Sequence, residues 1–359
     1  MTTVIKNGWV LDSDSGAFSK QDIFFTDELL ASLDESSISK TIDATNLYIT
    51  PGLIDTCSQI GLRETGVRWE GNDSYEPQQE DPTQLSVTDG IYPFDPSFKD
   101  AVASGVTTAH ILSAPNSVIG AKTAIIHMNG STVEEMLIDN EVGFSFSMGD
   151  IPKKSFMEQT KMPLTRMGIA QRIRTTLKRL KSSGELDNRK VFVRCHRADD
   201  IETAIRISKE VDVPITLVHA TECGLVDKEV LTHSNSSIGG PSFQAIERLE
   251  LKNLKPTLYK TLQDSGVNFG FATDHPVNSV THLKLEASLA FREGVSSEDA
   301  LLALTKNAAK LLEIDHLTGS IAPGLFADIV IWDQHPLNLT ANVLHTFIKG
   351  QEVYRKGGF

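Results

Sequence analysis

Apolar and polar positions divide the chain into a long middle stretch and two flanks. From residue 51 to about 318, short apolar or β-branched runs recur, most of them separated by segments with apolar residues at helical spacing. The runs are 52–56, Thr107–Leu112, Thr123–His127, Gly143–Met148, Val191–Val193, Pro214–Val218, Ser236–Ile238 and Val267–Ala272. Helical spacing is clearest over Arg166–Lys181, where the apolar residues Met167, Ile169, Ile173, Leu177 and Leu180 recur at helical spacing. Further helices are predicted at Asp200–Val211, capped by Asp199-Asp200, and at Ser297–Leu312. Eight strands alternating with helices predict an α/β fold, a (β/α)8 TIM-type barrel over 51–318. Ser236–Ile238, short and polar, is the least strand-like of the eight.

The flanks read differently. Thr3–Leu11 carries Asn7-Gly8 between apolar and β-branched residues, a hairpin signal, and Asp22–Phe25 and Lys40–Asp43 follow as strands. At the other end a turn at Pro323-Gly324 leads into Ala327–Trp332, and Val343–Ile348 and Glu352–Tyr354 flank a turn at Lys349-Gly350. Two β-rich ends around one barrel predict a small composite β-sandwich, built from 1–50 and 319–359. Within the middle, 68–93 is long, acidic and rich in Pro, Gln and Asp, which suits a loop over the barrel mouth.

Charge narrows the function classes. The chain has 359 residues and a formal net charge of −13, so no basic excess is available to neutralise phosphates, and a nucleic-acid partner is not expected. The basic residues of 153–190 coincide with the amphipathic helix and read as its solvated face. No apolar run is long enough to cross a bilayer, and the first residues lack a basic segment ahead of an apolar core. Three cysteines, an odd number in a long chain, suit a reducing compartment, so the expected location is cytoplasmic. A small-molecule ligand is the expected partner; nothing marks an oligomer interface.

Several motifs occur in one order: Pro51-Gly-Leu-Ile-Asp55, Asp89-Gly-Ile-Tyr-Pro-Phe-Asp95, Gly105-Val-Thr-Thr108, Asn116-Ser-Val-Ile-Gly120, Met162-Pro-Leu-Thr-Arg-Met-Gly168, His196-Arg-Ala-Asp-Asp-Ile201, His219-Ala-Thr-Glu222 and Thr273-Asp-His-Pro-Val277. Together they resemble the imidazolonepropionase- and prolidase-related branch of the amidohydrolase superfamily. The resemblance covers nearly the whole chain. It implies a (β/α)8 barrel with a composite β-sandwich, and hydrolysis of C–N bonds by a zinc-type ion. It also implies a ligand set: two histidines ending strand one, a lysine or glutamate on strand four, histidines ending strands five and six, and an aspartate ending strand eight. That aspartate would help hold the metal and take the proton from its bound water.

Most of that set is replaced. The strand-one positions hold Cys57 and Gln59, strand four has Ser145, and strand five has Arg194 where the family has its ligand histidine. Only His219 and Asp274 remain. A guanidinium stays protonated and offers no lone pair, so Arg194 among former ligands repels a cation and is expected instead to pair with Asp274. The leading expectation is a degenerate family member without a cofactor, its metal-dependent hydrolysis weakened or lost and its mouth kept as a small-molecule site. An active hydrolase of a non-peptide C–N bond such as a cyclic amide is the alternative, with a single zinc on Cys57, His219 and Asp274, the last as residual catalytic group. A non-catalytic scaffold is the third. His110, His127 and His196 stand as candidate substrate contacts, while Arg166, Arg197, Lys122 and His275 read first as scaffold.

Overall fold

A computed structural model describes residues 2–32, 38–79, 81–158, 165–234 and 236–357; Met162, Pro163 and Leu164 of the motif at 162–168 lie outside them. Five strands come first: β1 (Thr2–Leu11), β2 (Phe18–Thr26), β3 (Leu29–Ala31), β4 (Ile38–Asp43) and β5 (Tyr48–Pro51). Eight follow in the middle: β6 (Leu53–Ser58), β7 (Val106–Ile111), β8 (Ile119–His127), β9 (Leu137–Ser147), β10 (Lys190–Cys195), β11 (Thr216–His219), β12 (Ser236–Gly239) and β13 (Asn268–Phe271). The chain ends with β14 (Ile329–Trp332), β15 (Val343–Ile348) and β16 (Gln351–Arg355).

β6 to β13 pair in sequence order in one sheet. The Thr56 hydroxyl on β6 donates to the Phe271 carbonyl on β13 at 2.7 Å and ties the two edges into a barrel. Ile54, Ile125, Phe192, Val218 and Ile238, from five different strands, cluster in its interior. The polar β12 is a full member, parallel to β11 and β13, with the Ser236 and Thr216 hydroxyls hydrogen-bonded at 3.0 Å.

The barrel departs from eight parallel strands at one place. β8 runs antiparallel to both β7 and β9. Residues 112–118 are too few for the crossover that a parallel return needs, so the chain turns straight back. The mouth end of β8 is therefore its beginning, Ile119-Gly120, and His127 lies at the opposite end of the barrel, beside Thr108 near the start of β7. The predicted closing helix is also two, Ser297–Leu304 and Lys306–Leu312, broken where Thr305 leaves helical geometry at φ −131° and ψ −99°.

The remaining strands form a second sheet, in the order β16-β15-β14-β5-β1-β2-β3, with strands from both ends of the chain meeting where β5 pairs β14. It branches at β1, which pairs β4 through Thr2–Lys6 and β5 through Trp9–Val10. Ile5, Val10, Phe25, Ile49, Ile329 and Phe347 share its core. Asn7-Gly8 is not a hairpin. Both halves of β1 pair with the same strand, β2, and the register slips between Ile5 and Gly8, so the left-handed Asn7 (φ 64°) marks a bulge within one strand. Between the two sheets, Gly52 has no room for a side chain, since a Cβ there would lie 2.0 Å from the Thr107 hydroxyl oxygen. The glycine of Pro51–Asp55 is thus a packing requirement where the chain crosses from sheet to barrel. Among the described residues no helix is long and apolar enough to cross a membrane.

The acidic segment 68–93 is fastened to the barrel's C-terminal face by its own backbone. Asp73 N–H donates to the Leu62 carbonyl (2.8 Å), Ala114 N–H to Ser74 (2.8 Å), and Lys122 N–H on β8 to Leu85 (2.9 Å).

Candidate functional site

The strand ends at the mouth converge on Asp274, which follows β13. Its backbone N–H donates to the Cys57 carbonyl at 2.9 Å, and it sits at φ 48°, in the left-handed region. His219 (φ 72°) and Ala220 (φ 44°) share that conformation at the end of β11. For non-glycine residues such backbone is uncommon and costs about 1–3 kcal/mol, so neighbouring contacts must hold it.

Arg194 is 2% exposed and lies at the centre. Its Nη2 donates to Asp274 Oδ1 at 3.3 Å and to Cys57 Sγ at 3.3 Å, while Nη1 donates to the Ser113 carbonyl. Gln59 Nε2 donates to the same Asp274 oxygen at 3.1 Å, and the Cys57 thiol points at it from 3.6 Å. Burial opposes the arginine's charge, but the Asp274 carboxylate and the hydrogen bonds to Cys57 and Asp274 outweigh it and hold the guanidinium proton more tightly than usual. Burial pushes the Cys57 thiol far up, so Cys57 stays neutral and the charge that Arg194 meets at neutral pH is that of Asp274.

The two site histidines are neutral. Burial lowers the pKa of His219, whose Nδ1 donates to the Gly240 carbonyl at 2.7 Å. Its lone pair is therefore on Nε2, 3.8 Å from Asp274 Oδ2. His196 stacks on His219 with ring centroids 4.6 Å apart and planes 6° off parallel. Burial, with the Arg248 guanidinium beside it, keeps it uncharged; Arg248 Nη2 donates to the His196 Nε2 at 3.4 Å, and the His196 Nδ1 meets the Thr221 hydroxyl at 2.8 Å.

Other candidates lie elsewhere. His127, read as a strand-end substrate contact, pairs its Nε2 with Asp328 Oδ2 at 3.1 Å, at the end of the barrel remote from the mouth. The reversal of β8 is the reason. His110 is fully buried inside the barrel against Phe192, its Nδ1 donating to the Thr56 carbonyl at 3.1 Å and its pKa driven down to about 3 by burial. Its Nε2 has no hydrogen-bond partner among the described residues. Ser145 also faces inward, and its hydroxyl would lie 2.1 Å from a Cβ at Gly120, so the two positions fit only as a pair. Arg166 Nε donates to both Asp200 oxygens at 3.0 and 3.1 Å and its Nη2 meets Glu250, while Arg197 pairs with Asp199 at 2.8 Å. Asp199 and Asp200 do not cap the helix, which begins at Ala198; the Ala198 N–H is taken by Glu222 at 3.0 Å. Lys122 pairs with Glu141 at 2.9 Å.

Two functional groups escaped the sequence reading because they act through backbone oxygens: Ser113, which receives Arg194, and Gly240, which fixes the His219 tautomer. No side-chain signal marks either. Asp55 was legible as part of a motif but not as a partner of the site. It accepts from Thr273 N–H at 3.0 Å and from its hydroxyl at 2.5 Å, one residue before Asp274.

Burial raises the Asp55 carboxyl to about 7, against those hydrogen bonds. An acid whose folded pKa exceeds its unfolded value, about 4, binds more protons in the folded state, so its contribution to stability falls as pH rises through that interval. Asp55→Asn keeps the shape and removes the titration. Between pH 4 and 7 the parent is expected to lose stability relative to this variant, by up to about 1.4 kcal/mol per pH unit, and above pH 7 the difference should be flat. Urea midpoints across pH test this; parallel profiles would remove Asp55 as the source.

Residues 165–353 match the model of the amidohydrolase family. The chain superposes on the crystal structure of an amidohydrolase from Thermotoga maritima MSB8 with a TM-score of 0.91 and 30% identity, covering 99% of this chain and 100% of that one. It is 26% identical to the amidohydrolase tasK of Hapsidospora irregularis over 86% of this chain but only 36% of that protein. Imidazolonepropionase of Agrobacterium fabrum is 36% identical over 30% of this chain and 28% of its own. The chain thus spans about a third or less of the length of the curated relatives it matches.

Proposed function

This chain belongs to the amidohydrolase family, and from that premise we propose that it is a member in which a side-chain ion pair stands where relatives bind their metal. Metal-dependent C–N hydrolysis is weakened or lost, and the mouth serves as a small-molecule site. One observation carries the reading: the Arg194 guanidinium lies within 3.3 Å of both Cys57 Sγ and Asp274 Oδ1.

The side chains do not fit a zinc-type ion. Such an ion needs three or four lone pairs converging at bonding distance. Among the described residues no three His, Cys, Asp or Glu side chains come together as a set able to hold one. Cys57 Sγ already accepts from the Arg194 guanidinium at 3.3 Å and its thiol points at Asp274 Oδ1, so the sulfur faces a fixed cation where an ion would sit. His219 presents a lone pair toward Asp274, but the charge that Asp274 requires comes from Arg194. A buried carboxylate without a partner is strongly unfavourable, and a hydrogen-bonded guanidinium offsets that cost as the cation would have done. Loss of the histidines at 57, 59 and 194 and gain of this pair then form one coordinated change.

Metal analysis of the purified chain tests the reading. The protein, dialysed against excess zinc and then against buffer, is expected to retain well below one ion per chain, and Asp274→Ala should not alter that content. Near-stoichiometric zinc that disappears in Asp274→Ala would overturn the proposal and support the single-metal site on Cys57, His219 and Asp274.

A further inference from the structure

Beside the mouth, three carboxyl groups share two guanidiniums. Arg166 opens the helix Arg166–Ser182; its Nε holds both oxygens of Asp200 and its Nη2 meets Glu250 Oε1. Arg248 Nη1 donates to Asp150 Oδ1 at 2.5 Å, and its Nη2 donates to His196, the ring stacked on His219. The two halves meet where the Glu250 and Asp150 carboxyl groups come within hydrogen-bonding reach of each other. Two carboxylates have no donor between them, so this contact needs a proton. Gly149 allows the approach: it sits at φ 97°, and a Cβ there would run into Glu250 Oε2.

The position of that proton follows from the remaining contacts. Both Asp200 oxygens have a guanidinium donor, whereas Glu250 Oε2 is buried and has no donor among the described residues. Burial and the facing Asp150 carboxylate raise the Glu250 pKa to about 7, against the pull of Arg166. The other charged groups of these elements do not supply a cation for Glu250. Asp199 pairs with Arg197 at 2.8 Å, and Lys154 with Glu158 at 3.9 Å. Glu247, next to Arg248, adds only negative charge, and burial keeps Cys195 a neutral thiol.

Exposure decides which groups yield when the proton leaves. The side chains of Glu250 and Asp200 are 3% and 2% exposed and are fixed in place. Those of Asp150 and Arg248 are 35% and 27% exposed, and both line a cavity of about 470 Å³ that gives them room. Repulsion from an ionised Glu250 therefore displaces Asp150, and Arg248 with it, away from His196. We infer that Glu250 is a proton-operated latch on the mouth: protonated, it hydrogen-bonds Asp150 and keeps Arg248 on His196; ionised, it drives the Asp150–Arg248 pair outward and frees the His196 Nε2 lone pair for a ligand donor. The inference rests on the reading of the mouth as a small-molecule site and adds the regulation of that site by pH. About nine-tenths of the chains hold the latch at pH 6 and about one-tenth at pH 8.

Nitrogen-15 NMR of the full chain labelled at histidine tests it, with the His196 ring assigned by its loss in His196→Asn. The His196 Nε2 signal is expected to move with a midpoint near pH 7 as the Arg248 hydrogen bond is lost. Below that midpoint the ring should keep one unprotonated nitrogen, which separates the latch from titration of His196 itself. Glu250→Gln can keep both contacts without titrating and should hold the low-pH signal throughout. Asp150→Asn removes the repelled charge and should also give a flat profile, so the test stands if one variant does not fold. Asp55→Asn, which removes another carboxyl raised to about 7, should leave the midpoint in place. A flat parent profile, a transition that persists in folded Glu250→Gln, or one that vanishes in Asp55→Asn would overturn the inference. The readout needs no ligand, and zinc content measured on the same preparations reads the metal-replacement proposal separately, so either can fail while the other stands.

Discussion

Arg194→Met is expected to destabilise the protein by about 3–5 kcal/mol, lowering the thermal midpoint by roughly 4–7 °C. The guanidinium donates to three acceptors at once, Asp274, Cys57 and the Ser113 carbonyl, and its removal leaves the Asp274 carboxylate buried with only Gln59 and a thiol as donors. The size of the effect comes from the orphaned charge and not from the worth of the pair. Arg194→Met combined with Asp274→Leu should therefore recover most of the loss, because a buried pair exchanged for apolar groups is often close to neutral. A double-mutant cycle is expected to give a coupling of at least about 2 kcal/mol. Simple addition of the two single losses would mean that Arg194 and Asp274 do not depend on each other, and the metal-replacement reading would lose its physical basis.

The second large effect runs the other way. Cys57→His, Gln59→His and Arg194→His together are expected to convert a chain with little zinc into one that retains about one ion. The three changes remove the fixed cation and supply neutral imidazoles beside His219 and Asp274, the donor chemistry that suits zinc. With free zinc about a hundredfold above its dissociation constant, folding should gain about 2.7 kcal/mol, visible as a zinc-dependent rise of the thermal midpoint. Arg194→His alone should gain far less, because Cys57 and Gln59 still flank the site. A folded triple variant that stays zinc-free would show that the mouth has been rebuilt beyond its ligand positions, with Ser145 and its tight fit to Gly120 the first place to look.

Much of this architecture was written locally. Each barrel strand except the polar Ser236–Ile238 was visible as an apolar or β-branched run, as strands buried on both faces are, and Ser236–Ile238 was placed by its position in the alternation. The errors came where a local signal had two structural outcomes. Asn-Gly serves a hairpin or a bulge equally well, and only pairing of both halves of β1 with β2 decided for the bulge. A strand read without its partners has no direction, so His127 was assigned to the wrong end of the barrel, although the shortness of 112–118 already excluded a parallel return.

The sequence by itself determined the barrel, the sheet shared by both ends of the chain, and which residue types stand at Cys57, Gln59, Ser145 and Arg194. Those are properties of residue type and order, which local periodicity and motif spacing carry. Tertiary structure alone decided that the Arg194 guanidinium reaches Asp274, Cys57 and a backbone oxygen of Ser113 together, and that Gly240 sets the tautomer of His219. Each joins groups far apart in the chain, 80 residues for Arg194 and Asp274. Such a contact depends on barrel closure and on directions and distances that no single segment encodes.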